Sequence, residues 1–369
     1  MAFRLIITRS IQKIGISAIL SLFLCLSSAA AFDQKIKAIV DAGYAEAQAR
    51  KANVPGVVAG VWDVPRNIAT VYAVGLAEKE TAIPMGIGHS FKIASVTKTM
   101  VATVIVQLIE EGRLSFDTPV AAFYPDLPKA EHVTIRMLGD MTSGYFDYLE
   151  DEAFLDNFDN LPNFTATPRE MIAVAMAHPM EYPPGHGFNY SNTNTVLLGQ
   201  IIEKITGDKL ETVLQNRLYT PLGLAKTGAP DSGSYLPAPM ANSYHPNTLE
   251  NWTDKMDYSP EYACGNAYST LLELRTWAQA LAAGTLIKPQ SMVEVLSSGT
   301  PFPHAPEYIY RFGMIDYRGY LGHSGDTDYY LTEAYHHPEK QRTVVILSNS
   351  SLTGFTGMLL AQIIDLLEE

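Results

Sequence analysis

The chain has 369 residues, 47% hydrophobic and only 18% charged, so it is too apolar for a disordered tail and must bury a core. Its 39 acidic residues outnumber 26 basic ones, for a net charge of −13, and no cluster of Lys and Arg breaks that excess. This argues against a nucleic-acid partner, whose phosphates require such a cluster. At about 150 residues per domain the length allows two domains, or one core with a large insertion.

The first 31 residues carry Arg4, Arg9 and Lys13 and no acid. An apolar run from Ile14 to Leu26 follows, then the small residues Ser27 to Ala31 with an A-x-A ending before Phe32. This reads as a secretory signal peptide over residues 1–31 and predicts a secreted or periplasmic protein. The run is shorter than the ~20 apolar residues of a membrane anchor. Cys25 lies inside the leader behind Leu24, where lipid attachment wants a small residue, and Cys264 then has no partner for an internal disulfide. An exported chain without bridges fits a self-sufficient core and a bacterial periplasm.

A helix is predicted over 33–52, then a strand pair over 56–62 and 69–74 around Pro65-Arg-Asn67. From Ser95, apolar Met100, Val104, Leu108 and Ile109 recur at helical steps until Gly112. The stretch from about 114 to 265 mixes helices, 194–206 and 210–217 among them, with loops such as Tyr182-Pro-Pro-Gly-His-Gly187. Strands return over 308–317, 329–336 and 342–349, the last two joined by the turn Pro338-Glu-Lys340, and a helix over 358–367 closes the chain. The expected fold is α+β: a mostly antiparallel sheet formed by the N- and C-terminal parts, flanked by helices, in one domain over 32–369 with a helical subdomain inserted at about 114–265.

Three short motifs could carry chemistry. Ser95-Val-Thr-Lys98 stands where Phe91-Lys-Ile-Ala94 turns into a helix, and a three-residue step puts both side chains on one face. A serine hydroxyl becomes nucleophilic when a neighbour takes its proton, and a lysine desolvated in a cleft can do so. The spacing alone is weak, since Ser10-Ile-Gln-Lys13 in the leader has the same form, and a helix cap followed by a surface lysine stays open. Tyr190-Ser-Asn192 supplies a phenol that could shuttle a proton and an amide that could hold the lysine and a substrate carbonyl, or else a packed aromatic before a helix cap. His323-Ser-Gly325 lies in the strand-rich end, where a strand edge could offer a backbone N–H to a carbonyl oxygen and Gly325 would let substrate approach. Lys226-Thr-Gly228 has the same form but stands in a loop and is set aside. His336 and His337 are neighbours on a strand, face opposite sides and cannot chelate one ion. No metal or nucleotide motif appears, so neither a metal nor another cofactor is expected. Tyr145, Tyr148, Tyr258, Tyr262, Tyr329 and Tyr330 are expected in the core or at a cleft rim.

The order S-x-x-K, Y-x-N, H-x-G at positions 95, 190 and 323 resembles the penicillin-recognising serine hydrolases, specifically the class C β-lactamase and D-alanyl-D-alanine carboxypeptidase group. Phe91 to Lys98, Val133-Thr-Ile-Arg136 with Thr142-Ser-Gly144, Tyr182-Pro-Pro-Gly185, Tyr190 to Asn194, Pro221-Leu-Gly-Leu224 and Gly322 to Gly325 all look like landmarks of that family. The resemblance implies an exported serine hydrolase in which Ser95 forms an acyl-enzyme with an amide, ester, D-amino-acid peptide or β-lactam carbonyl. Lys98 and Tyr190 would move the proton, the N–H groups of Ser95 and Asp326 would form the oxyanion hole, and His323 would tune Tyr190 or orient substrate. Asn192, Ser324, Gly325 and Asp326 would bind substrate, a small molecule or a peptidoglycan-type peptide. The alternative is a penicillin-binding sensor without efficient turnover. This chain also departs from the pattern. Asp326 and Tyr329 replace a hydroxyl residue and a second glycine, and Ile315 stands where close relatives would carry a carboxylate-binding arginine, with Arg311 or Arg318 as candidate substitutes.

Overall fold

In a computed structural model, the structure describes residues 30–369 apart from 51, 53, 247, 328, 350 and 351. The signal-peptide reading therefore falls, but for residues 30 and 31, outside the described residues. Among the described residues no helix is long and apolar enough to cross a membrane.

The first helix, residues 30–49, leads into β1 (Gly56–Asp63), β2 (Ile68–Glu78) and the short β3 (Ile83–Pro84). Six more strands come from the other end of the chain: β6 (Thr300–Phe302), β7 (Ala305–Arg311), β8 (Met314–Tyr317), β9 (Tyr320–Asp326), β10 (Leu331–His337) and β11 (Arg342–Ser348). They form one nine-stranded sheet in the order β3-β2-β1-β11-β10-β9-β8-β7-β6, all pairs antiparallel. Strands β4 (Ser90–Lys92) and β5 (Tyr268–Thr270) pair separately. The two ends of the chain meet at the β1–β11 seam, where Val57 faces Ser348 and Asp63 faces Arg342.

The central strands are buried on both faces, so they read as continuous apolar runs rather than alternating ones: every residue of β1 is buried. Alternate residues still part to opposite sides. Val58, Leu321, Ala334, Val345 and Leu347 join the core under the Thr97–Glu110 and Leu271–Ala282 helices. Val57, Ala59, Leu331, Tyr335, Val344 and Ile346 pack with the first helix and with the closing helix Phe355–Glu368. The fold is α+β with a large antiparallel sheet flanked by helices.

Two local expectations need correction. The strand expected over 308–317 is a hairpin, β7 and β8, turned by Phe312-Gly313 with Gly313 at φ +69°. A side chain there would also meet Ala102 Cβ at 2.2 Å, so this glycine lets the hairpin rest on the Thr97–Glu110 helix. The helix expected over 210–217 is α-helical from Leu210 to Leu214 and then widens to π form over Gln215–Tyr219.

Candidate active site

Ser95 sits in a single 3₁₀ turn, Ala94–Val96, between β4 and the Thr97–Glu110 helix. Ala94 before it has φ +47°, a left-handed conformation that costs a residue with a Cβ roughly 1 kcal/mol or more and that surrounding structure must hold. Part of that holding comes from β9. A Cβ at Gly325 would lie 2.3 Å from the Ile93 carbonyl oxygen and 3.0 Å from Ala94 Cβ, so the strand runs directly against the Ser95 turn. Gly325 is thus needed for backbone to meet backbone, a packing role distinct from the substrate approach expected of it. β8 pairs with β9 only as far as Gly322, so the segment from His323 to Asp326 has no β8 partner beside it.

Lys98 is the second residue of the Thr97–Glu110 helix and 1% exposed. Its Nζ lies 2.9 Å from Ser95 Oγ, 2.7 Å from Asn192 Oδ1 and 3.0 Å from the Cys264 carbonyl oxygen. Burial pushes the amine below the usual lysine range, and acidic neighbours, Cys264, Asp147 and Glu261, act the other way. The geometry suits both protonation states. An ammonium donates to all three oxygens, while a neutral amine donates to Asn192 and Cys264 and accepts from the serine hydroxyl. A proton can therefore pass from Ser95 to Lys98 without rearrangement.

Asn192 opens the Asn192–Thr206 helix, which ends on Gly207 at φ +80°. Its Nδ2 donates to Asp147 Oδ2 at 2.8 Å, which fixes Oδ1 toward Lys98. The neighbouring side chains stitch the helix to the 143–148 loop: the Thr193 hydroxyl donates to the Phe146 carbonyl at 2.8 Å, and Ser143 Oγ donates to Asn194 Oδ1 at 2.5 Å. Asp147 was not foreseen; burial raises its pKa, opposed by the Asn192 and Leu149 hydrogen bonds and by Lys98. A lone acid in the apolar run Tyr145 to Leu149 was the one sequence signal it offered.

The Tyr190 ring lies with its centroid 4.8 Å from Lys98 Nζ. Its hydroxyl is buried and has no hydrogen-bond partner among the described residues, although Ser95 is close enough to oppose the burial that drives its pKa up. The phenol is therefore protonated at neutral pH. His323 is 2% exposed, its ring 6.0 Å from that of Tyr190. Burial, reinforced by Lys98, lowers its pKa to about 3, so it is neutral. Nδ1 lies 2.5 Å from the Ser324 carbonyl, which can only accept, so the proton sits on Nδ1 and the buried Nε2 is left as an acceptor with no donor among the described residues. The imidazole thus brings no positive charge to the site.

These groups open into a cavity of about 520 Å³ lined by Ser95, Tyr190, Asn192, His323, Ser324, Gly325 and Asp326. All eight side chains or glycines singled out in the sequence converge here, Lys98 from behind Ser95. The cavity also holds three carboxylates, Glu261, Asp326 and Glu333, and no lysine or arginine among its described lining residues. Ile315 lines it, but the expected substitutes do not. Arg311 donates to Asp316 and to the Leu296 and Ser298 carbonyls, and Arg318 pairs with Asp365 at 2.6 Å. Lys226 is exposed, with its backbone N–H and the Thr227 hydroxyl bound to Glu273, away from the cavity. The six tyrosines named above are buried and none lines it.

An α+β sheet with a serine, a buried lysine and a buried phenol at its open strand end defines the penicillin-recognising class to which the motifs pointed. The chain belongs to the Beta-lactamase family, whose model matches residues 32–368. A relative described as the putative penicillin-binding protein PbpX of Bacillus subtilis (strain 168) is 26% identical over 234 residues, 63% of this chain and 56% of that protein. Esterase EstB of Burkholderia gladioli is 32% identical over 170 residues, 42% of each chain. The chain thus spans about half or less of these curated relatives. Among solved structures, a D-stereospecific amidohydrolase from Streptomyces sp. superposes with a TM-score of 0.78 at 28% identity, covering 90% of this chain and 97% of that one. The D-amino acid amidase of Ochrobactrum anthropi SV3, complexed with L-phenylalanine amide, shares the fold at a TM-score of 0.79 and 24% identity, over 91% and 98% of the two chains.

Proposed function

We propose that the protein is an exported serine hydrolase that cleaves amides or esters through an acyl-enzyme on Ser95. The observation that carries this reading is the contact of Ser95 Oγ with a buried Lys98 amine at 2.9 Å. Ser95 Oγ bonds to the substrate carbonyl carbon as its proton passes to Lys98, and the N–H groups of Ser95 and Asp326 receive the oxyanion. Tyr190 then gives its proton to the departing amine or alkoxide and recovers one from Lys98. In the second half, water attacks the ester carbonyl, its proton moves to the Tyr190–Lys98 pair, and Ser95 leaves with it. Asn192, held by Asp147, keeps the amine aimed.

The names of the similar proteins, an esterase and a D-stereospecific amidohydrolase, support an amide or ester substrate. The acidic lining disfavours a substrate with a free carboxylate beside the scissile bond. At about 5 Å, two like charges repel by on the order of 3 kcal/mol at an effective dielectric near 20. Carboxypeptidase and β-lactamase turnover should therefore be weak, and neutral or amine-bearing substrates better. The experiment compares kcat/KM for a D-Ala-D-Ala peptide with that for its C-terminal amide: the amide should be faster, and faster cleavage of the free acid would overturn this specificity. The leader reading of residues 1–31 adds export, checked by N-terminal sequencing of protein recovered outside the cytoplasm.

A further inference from the structure

We propose that Glu333 is the specificity-determining group of this site, selecting esters and amides that carry a cationic group near the scissile bond. The inference rests on the reading of Ser95 as nucleophile. Glu333 stands on β10 directly across from Ser324 of β9. Ser324 in turn adjoins Gly325, whose backbone abuts the Ser95 turn. The carboxylate is thus tied to the same short strand segment that borders the nucleophile, and both line one cavity.

Glu333 is 4% exposed, yet it is bound only by neutral groups. The Ser324 hydroxyl donates to Oε2 at 2.6 Å and the Thr356 hydroxyl to Oε1 at 3.0 Å. The Tyr335 hydroxyl lies 2.9 Å from Ser324 Oγ and continues the network. Thr356 belongs to the first turn of the Phe355–Glu368 helix, whose positive end favours the anion. Among the described residues no lysine or arginine pairs with it. The titratable groups that face it, Asp326 from β9, Tyr335 from its own strand and Tyr308 from β7, are acids or phenols. A carboxylate needs more than two hydroxyl donors to offset burial, since each oxygen can accept about two hydrogen bonds. Burial accordingly holds its pKa up at about 7, against the pull of Ser324 and Thr356. A cation entering the cavity supplies the missing partner, and an anionic substrate meets repulsion instead.

Two matched pairs of substrates test this. In the first, acetylthiocholine and 3,3-dimethylbutyl thioacetate differ by a quaternary nitrogen in place of carbon on the leaving group. In the second, D-alanine p-nitroanilide and the p-nitroanilide of the corresponding 2-hydroxy acid differ by an ammonium in place of a hydroxyl on the acyl side. In at least one pair the wild-type enzyme should favour the cationic member in kcat/KM, and Glu333→Gln, which keeps the size and one acceptor, should cut that ratio by about 10- to 100-fold. The acetylthiocholine preference, if it is that pair, should strengthen from pH 6 to pH 8 as Glu333 ionises. Equal ratios in wild type and variant for both pairs overturn the proposal while leaving Ser95 chemistry standing. No turnover of any of the four compounds, together with no labelling by a fluorophosphonate, overturns both. Should the variant fail to fold, inhibition of wild-type phenyl acetate hydrolysis decides: choline or D-alaninamide should inhibit more strongly than its neutral isostere, and equal inhibition within both pairs counts against Glu333.

Discussion

In the proposed mechanism Lys98 accepts a proton and Tyr190 gives one, and burial, which lowers the pKa of the amine and raises that of the phenol, favours both roles. Tyr190→Phe should fold normally and lose kcat by about 10²- to 10⁴-fold with little change in KM, as steady-state kinetics on an aryl ester would show. Glu333 has a consequence for stability as well as specificity. Its pKa rises on folding from the usual carboxyl value of 4.5 to about 7, so the folded state binds the proton more tightly. Its contribution is fully present below pH 4.5 and is lost as pH rises through 7. Glu333→Gln removes this loss, so the difference in Tm, variant minus wild type, should grow more positive from pH 5 to pH 8; a flat difference would contradict the shift. The positions of Ser95, Lys98, Tyr190, Asn192 and His323 could be read from motif order because each motif is local. Asp147 and Glu333 could not. Asp147 acquires its place through Asn192, 45 residues away in sequence, and Glu333 through Ser324 and Thr356, so only tertiary packing makes either an unusual acid.

At the scale of elements, the junction of β9 with the Ser95 turn is a tight constraint on the site. Gly325→Ala places a methyl 2.3 Å from a carbonyl oxygen that cannot move without shifting Ala94 and Ser95. The expected cost is about 1–3 kcal/mol of stability with a marked loss of kcat, measurable by denaturant unfolding beside kinetics. Lys226→Ala, on an exposed loop, should be near neutral in both. The strand-rich C-terminal part and the long apolar helices were legible because their hydrophobic periods are long and uninterrupted. The β7–β8 turn was missed because Tyr308 to Tyr317 is mostly aromatic and apolar, with only Arg311 and Asp316 charged, and a lone glycine, Gly313, at positive φ divides it. The packing role of Gly325 was not legible: the sequence offers no trace of Ile93, 232 positions earlier, as the backbone it must clear.

Across the whole molecule the sheet ties the two ends of the chain together, so the site between them depends on one cooperative structure. The seam is marked by Asp63, fully buried, which accepts from Arg342 Nε at 2.9 Å and from the Arg66 backbone N–H at 3.1 Å. Asp63→Ala removes one of the two carboxylates on Arg342, which keeps Glu368 at 3.0 Å, and leaves the Arg66 backbone N–H without its acceptor; it should cost about 1–3 kcal/mol in denaturant unfolding. That a sheet would draw on both termini was legible from strands at either end with helices between; the strand order, set by which buried faces match, was not. The account turns on Ser95 as the covalent nucleophile, and intact-protein mass spectrometry after treatment with a fluorophosphonate tests it most directly. One adduct per chain, mapped by peptide sequencing to Ser95 and absent from Ser95→Ala, is the predicted result. An adduct on another serine, or one that persists at full yield in Ser95→Ala, would contradict it.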